Sequence, residues 1–81
     1  MRLPRDVSGG QLVAGLEKVF GYRKVHQEGS HVILQTDSPR RHRIAIPAHK
    51  VLRLGTLNAI LRAVAQAQGV RKEQVARQIF G

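Results

Sequence analysis

The segment from Tyr22 to Thr36 constrains this chain most, because two short runs of strand-forming residues meet there at Gly29-Ser30. Glycine at the first central position followed by serine favours a two-residue type II′ hairpin. That turn sets Glu28 opposite His31, Gln27 opposite Val32, His26 opposite Ile33 and Val25 opposite Leu34. Opposed residues share a face of the ribbon, and faces alternate along it. One face then carries Val25, Val32 and Leu34, a surface fit for a core, and the other carries Lys24, His26, Glu28, His31 and Gln35. His31 is expected to face solvent among polar side chains.

The flanking segments supply the layer that such a ribbon needs. Ser8 followed by Gln11 is a capping box, and Leu12, Val13, Leu16, Val19 and Phe20 recur at helical spacing until Gly21. After the hairpin, Asp37-Ser38-Pro39-Arg40 reads as a turn and about His42 to Ile46 as a third strand closed by Pro47. Ile44 and Ile46 point to the core, with His42 on their side, so Arg43 and Ala45, and Arg41 before them, share the face of His31. Thr56 is placed to cap a second helix with Leu57, Ile60, Leu61 and Val64 on one stripe, running to Gly69. Arg71 to Phe80 reads as a short third helix with Val75 and Ile79 one turn apart. The expectation is an α+β fold of order α-β-β-β-α-α, a single domain over residues 1–81. A three-stranded antiparallel sheet with helices on one face leaves the other face in water.

Composition narrows the function. A chain of 81 residues has room for one modest core and buries only about two-thirds of its unfolded surface. It has no cysteine, which removes disulfides, thiolate metal ligands and cysteine nucleophiles and fits a reducing cytoplasm. No apolar run approaches a membrane span, and the start at Met1 lacks the apolar stretch of a signal peptide. Fourteen Lys and Arg against five Asp and Glu give a net charge of +9, which points to a polyanionic partner. From Ser38 to Leu54 stand Arg40, Arg41, Arg43, Lys50 and Arg53, with His42 and His49 and no acid. Pro39 and Pro47 break that stretch, so it is not a basic amphipathic helix for a membrane surface. With Lys24, those five cations are the candidate RNA-binding residues.

Histidines beside Arg and Lys on an open sheet suit phosphodiester chemistry in RNA. Cleavage needs a base for the 2′-OH proton and positive donors for the charge that builds on phosphate, and an imidazole exchanges protons near neutral pH. His31 is the candidate catalytic residue. Glu28 across the turn would hold its tautomer, Arg43 or Lys24 would stabilise the transition state, and His26 is the candidate second proton carrier. The expected reaction is a metal-free transesterification leaving a 2′,3′-cyclic phosphate, with no cofactor. His26, His31, His42 and His49 show no metal-ligand spacing. Ser8 and Ser30 read as cap and turn residues rather than nucleophiles, and Gly29 and Gly55 lack the context of a phosphate-binding loop. Tyr22 is the one plausible base-stacking aromatic, with Phe20 and Phe80 assigned to the core, so backbone and shape recognition is expected over sequence readout.

Several segments together resemble one family. Leu3-Pro4-Arg5-Asp6-Val7-Ser8-Gly9, Phe20-Gly21-Tyr22, Gln27-Glu28-Gly29-Ser30-His31, Ile46-Pro47-Ala48-His49, and Gly55-Thr56-Leu57 with Ile60-Leu61-Arg62 occur in the order seen in the HicA toxins, the YcfA-like small mRNA interferases. The resemblance spans about residues 3 to 64. It implies a fold similar to double-stranded RNA-binding domains, ribonuclease activity on mRNA in a bacterial toxin-antitoxin pair, and inhibition by a HicB antitoxin. The family's catalytic histidine falls on His31, and His49 matches a recurrent histidine. Two features depart from the family pattern: Ala63 to Val70 makes a longer helix end, and Glu28 stands where a basic or neutral residue is common. Two rival readings use the same basic surface, a non-catalytic RNA-binding module and a domain that binds only an acidic protein partner.

Overall fold

The computed structural model describes residues 4–81. Met1 to Leu3, where the leader reading and the family resemblance begin, lie outside the described residues. The order is α1 (Gly9–Phe20), β1 (Arg23–Glu28), β2 (His31–Thr36), β3 (His42–Pro47), α2 (Leu54–Gln68) and α3 (Lys72–Phe80). The strands form one antiparallel sheet in the order β1-β2-β3. This is the expected α-β-β-β-α-α arrangement of an α+β fold.

Local chemistry explains the first half of this layout. The Ser8 hydroxyl accepts from the Gln11 amide at 3.0 Å while the Gln11 side chain accepts from the Ser8 amide at 2.9 Å, which closes the capping box. Gly21 ends α1 in the left-handed region at φ 69°, where a residue without Cβ is unstrained. Gly29, at φ 55°, supplies the positive dihedral that a tight hairpin needs. From that turn the register runs as expected through Glu28↔His31, Gln27↔Val32 and His26↔Ile33.

Beyond His26 the register departs from expectation. A bulge between Lys24 and His26 pairs Lys24, not Val25, with Leu34, and Arg23 with Gln35. Lys24 therefore leaves the face of His31, its ammonium bonding Gln27 at 2.8 Å, and Arg23 takes the place expected of it. Val25 is 39 % exposed rather than in the core. The physical reason is cover: α1 packs on β2 and β3 and α2 on β3, so every residue of the edge strand β1 stays exposed. With no buried face to enforce alternation, an extra residue is tolerated, and bulges favour such edges.

The core lies between the helix layer and β2-β3. Leu12, Leu16, Leu34, Ile46, Leu57, Leu61, Val64 and Val75 are its largest fully buried side chains, each contributing about 1.5–3 kcal/mol of transfer free energy. α3 packs on α1 and α2, and Val75 and Ala76 join the same cluster. Two helix starts fall away from the sequence reading. α2 begins at Leu54 with Arg53 as N-cap and no side-chain cap, so Thr56 lies inside the first turn; α3 begins at Lys72 behind Arg71. The first is explained by tertiary anchoring, since buried Leu52 donates its amide to the Val7 carbonyl at 2.7 Å just before the helix.

Candidate active site

His31 opens β2, exposed, between Glu28 on β1 and Pro47 on β3. Directly opposed residues share a face, so the uncovered side carries Glu28, His26 and Arg23 from β1, His31, Ile33 and Gln35 from β2, and Ala45 and Arg43 from β3. Glu28 is the immediate cross-strand neighbour of His31, with Cβ atoms about 5 Å apart in such a pair, and His26 lies on the diagonal at about 7–8 Å. The structure thus brings together three of the expected site residues, His31, Glu28 and His26.

It does not bring the expected stabilising cations to them. Lys24 is on the opposite face because of the bulge. Arg43 shares the face but pairs with Gln35, four positions from His31, roughly 13 Å along a strand. Its guanidinium is held by the Gln35 side-chain oxygen at 3.1 and 2.9 Å. That bond also corrects the expectation for Gln35, which is buried at 8 % exposure and donates to Asp37 at 3.2 Å. The Gln35 bond, ahead of the charges of Arg23 and Arg41, holds the Asp37 carboxyl below the ordinary carboxylate range. Arg23 pairs with Asp37 at 3.1 Å and Arg41 with it at 3.7 Å. Arg23 was missed in the sequence because only the bulge puts it on this face.

The cations nearest in connectivity to His31 lie instead on the β3-α2 connection. Ala48 donates to the Ser30 carbonyl at 2.6 Å and Gly9 to the His49 carbonyl at 2.9 Å. These bonds fasten the start of the connection to the turn before His31 and to the N-terminus of α1. His49, Lys50 and Arg53 follow, all exposed. Among the described residues no three His, Asp or Glu side chains gather in a metal-binding group.

Tyr22 and His42 lie elsewhere. Tyr22, expected as a base-stacker, is 3 % exposed, and its hydroxyl bonds His42 Nδ1 at 2.7 Å. Buried Tyr hydroxyls take a partner in this way. His42 stands on the core side, opposite Thr36. Burial, with Arg40's charge behind it, pushes the His42 imidazole below its ordinary value of 6.5. A histidine lowered in the folded state binds protons more readily when unfolded, so its contribution to stability is intact above pH 6.5 and lost as pH falls through the folded value. Urea midpoints measured from pH 7.5 to pH 5 are expected to fall for the wild type and to fall less for His42→Gln; equal slopes would show that His42 is not the acid-sensitive group.

No helix of the described residues is long and apolar enough to cross a membrane. No curated protein and no solved structure matches the chain. A family model described as the HicA toxin of bacterial toxin-antitoxin systems matches residues 9–65. The match starts at the first residue of α1, takes in the whole sheet and ends within α2, leaving α3 outside it. Covering well over half of the sequence, and with the strand and helix order in agreement, it makes this chain a member of the HicA toxin family.

Proposed function

We propose that the protein is a metal-independent endoribonuclease acting on mRNA in the cytoplasm as the toxin of its pair, with His31 as the proton-transfer residue and a HicB-like antitoxin as its inhibitor. The observation that carries this reading is the exposed His31 on the uncovered sheet face with Glu28 directly across the ladder. In this scheme the neutral His31 imidazole takes the proton of a ribose 2′-OH as that oxygen attacks the adjacent phosphorus. The phosphorus-5′-oxygen bond breaks, and the leaving oxygen takes a proton from a second acid, the part assigned to His26 on the diagonal. The products are a 2′,3′-cyclic phosphate and a free 5′-OH. Glu28, directly opposite on the ladder, is assigned the part of orienting the ring. Lys50 and Arg53 hold the RNA backbone on the β3-α2 connection, and Arg41 and Arg43 hold it at the far end of β3.

The chemistry of the product ends tests the scheme. RNA incubated with the purified protein in excess chelator is expected to yield fragments that carry 2′,3′-cyclic phosphates and accept label at their 5′-OH ends. Fragments with 5′-phosphates, formed only after a divalent metal is added, would overturn it.

A further inference from the structure

At the end of the sheet remote from His31, the turn before β3 folds against α2 and leaves an open groove of about 280 Å³. It is lined by Arg40, Arg41, His42, Ala63, Gln66 and Ala67. His42 pairs with Thr36 while His31 pairs with Pro47, which separates the two ends of β3 by roughly 17 Å along the strand. The groove also opens on the helix side of the sheet, so it is a separate place from the His31 site.

Its chemistry has three parts. Arg40 Nη2 donates to the Gln66 carbonyl at 2.9 Å, which pins the guanidinium at the rim and leaves other N–H groups for a ligand. The same bond offsets the partial negative charge at the C-terminal end of α2. Arg41 contributes a second guanidinium, tied among the described residues only to Asp37 at 3.7 Å; Asp37 is shared with Arg23 and is not among the groove's lining residues. His42 is oriented by Tyr22: Nδ1 is turned to the phenol at 2.7 Å, which leaves Nε2 as the ring nitrogen that no described residue bonds. Finally, Ala63 and Ala67 stand one helical turn apart on α2 and present adjacent methyls.

A simple anion site has no use for an apolar strip, and a duplex does not fit so small a volume. We propose that the groove seats one nucleotide of single-stranded RNA, its phosphate between Arg40 and Arg41, its base over the methyls of Ala63 and Ala67 with a polar edge atom on His42 Nε2. Unstacked bases are held against apolar side chains and guanidinium planes. β3 is an edge strand, so a strand leaving the groove passes round it by Arg41 and Arg43 onto the face of His31. The inference rests on the reading of the protein as one that acts on RNA, and it assigns His42, Gln66 and the two alanines a part in gripping the strand away from the point of cleavage.

The test is a side-chain NMR titration of the full chain carrying His31→Ala, so that no ligand is consumed. Uridine 5′-monophosphate and a uridine hexanucleotide are expected to shift the His42 ring, the Arg40 and Arg41 Nε–H and the Ala63 and Ala67 methyl signals saturably. Inorganic phosphate is expected to need at least about tenfold higher concentration for the same shifts. Arg41→Gln, at an exposed position, and Ala63→Leu, which fills the groove, are each expected to weaken hexanucleotide binding about tenfold. Absent shifts, equal potency of inorganic phosphate, unchanged binding in both variants, or the same shifts with a hexaglutamate peptide would each overturn the proposal. Groove shifts in a protein that never cleaves RNA would leave this inference standing and remove the ribonuclease reading; cleavage by the wild type without groove shifts would do the reverse.

Discussion

Replacing His31 by alanine is expected to lower RNA cleavage by about 10²- to 10⁴-fold, the usual worth of a positioned acid or base, while leaving fold and RNA affinity nearly intact. The split follows from where the side chain stands. His31 is exposed at the first position of β2, and none of the described side-chain hydrogen bonds or ion pairs uses its ring. Substitutions at such positions usually change stability by less than about 0.5 kcal/mol. Nor does the imidazole supply the bulk of the charge that attracts RNA, which resides in the arginines and lysines of a chain with net charge +9. Single-turnover cleavage and fluorescence anisotropy on the same preparation separate the two quantities. Lost cleavage with retained binding supports the acid-base role. Cleavage within about twofold of wild type would sink it and favour a module that only grips RNA. Glu28→Gln distinguishes a further point: if Glu28 orients the ring, its variant is expected to slow single-turnover cleavage while leaving RNA binding unchanged.

What the sequence made legible was what local chemistry determines. The Ser8-Gln11 box, the left-handed Gly21 and Gly69, and the Gly29-Ser30 turn each specify a boundary from a few neighbouring residues. Because the turn dictates register, the placement of His31 against Glu28 was readable as well. Features decided at a distance were not. The bulge that exchanges Arg23 for Lys24 exists because no helix covers β1, and helix placement is a tertiary outcome. Tyr22 is buried with its hydroxyl on His42, twenty residues away, and Arg41, Arg43 and Arg40 are drawn to Asp37, Gln35 and the end of α2 in turn. The site's proton carriers were therefore visible in one hairpin, whereas the partners of its cations depend on three separate segments meeting.

Gly9→Ala is expected to destabilise the fold by about 2–3 kcal/mol, near the upper end for overpacking, whereas Gly10→Ala is expected to be neutral or to stabilise it by up to about 1 kcal/mol. Both replace glycine by the best helix former in the first turn of α1, so propensity alone predicts gains at both. Their surroundings differ. A Cβ on Gly9 would overlap the Pro47 carbonyl oxygen and lie 3.0 Å from its carbon and 3.1 Å from Ala48 Cα. All three are backbone atoms, so no rotamer change relieves the clash. At Gly10 the nearest atom is Ser8 Oγ at 3.8 Å, an ordinary contact. To admit the methyl at Gly9, α1 must move off the β3-α2 connection, stretching the Gly9–His49 bond and straining the Ala48–Ser30 bond beside it. For a domain whose whole stability is of the order of 4–12 kcal/mol, that loss is readily measured as a lower urea midpoint. The same movement displaces the connection that carries Lys50 from the turn before His31, so the fraction of Gly9→Ala that remains folded is also expected to cleave RNA more slowly. A Gly9→Ala protein as stable and as active as Gly10→Ala would mean that α1 does not seat against Pro47 closely enough to hold that connection in place.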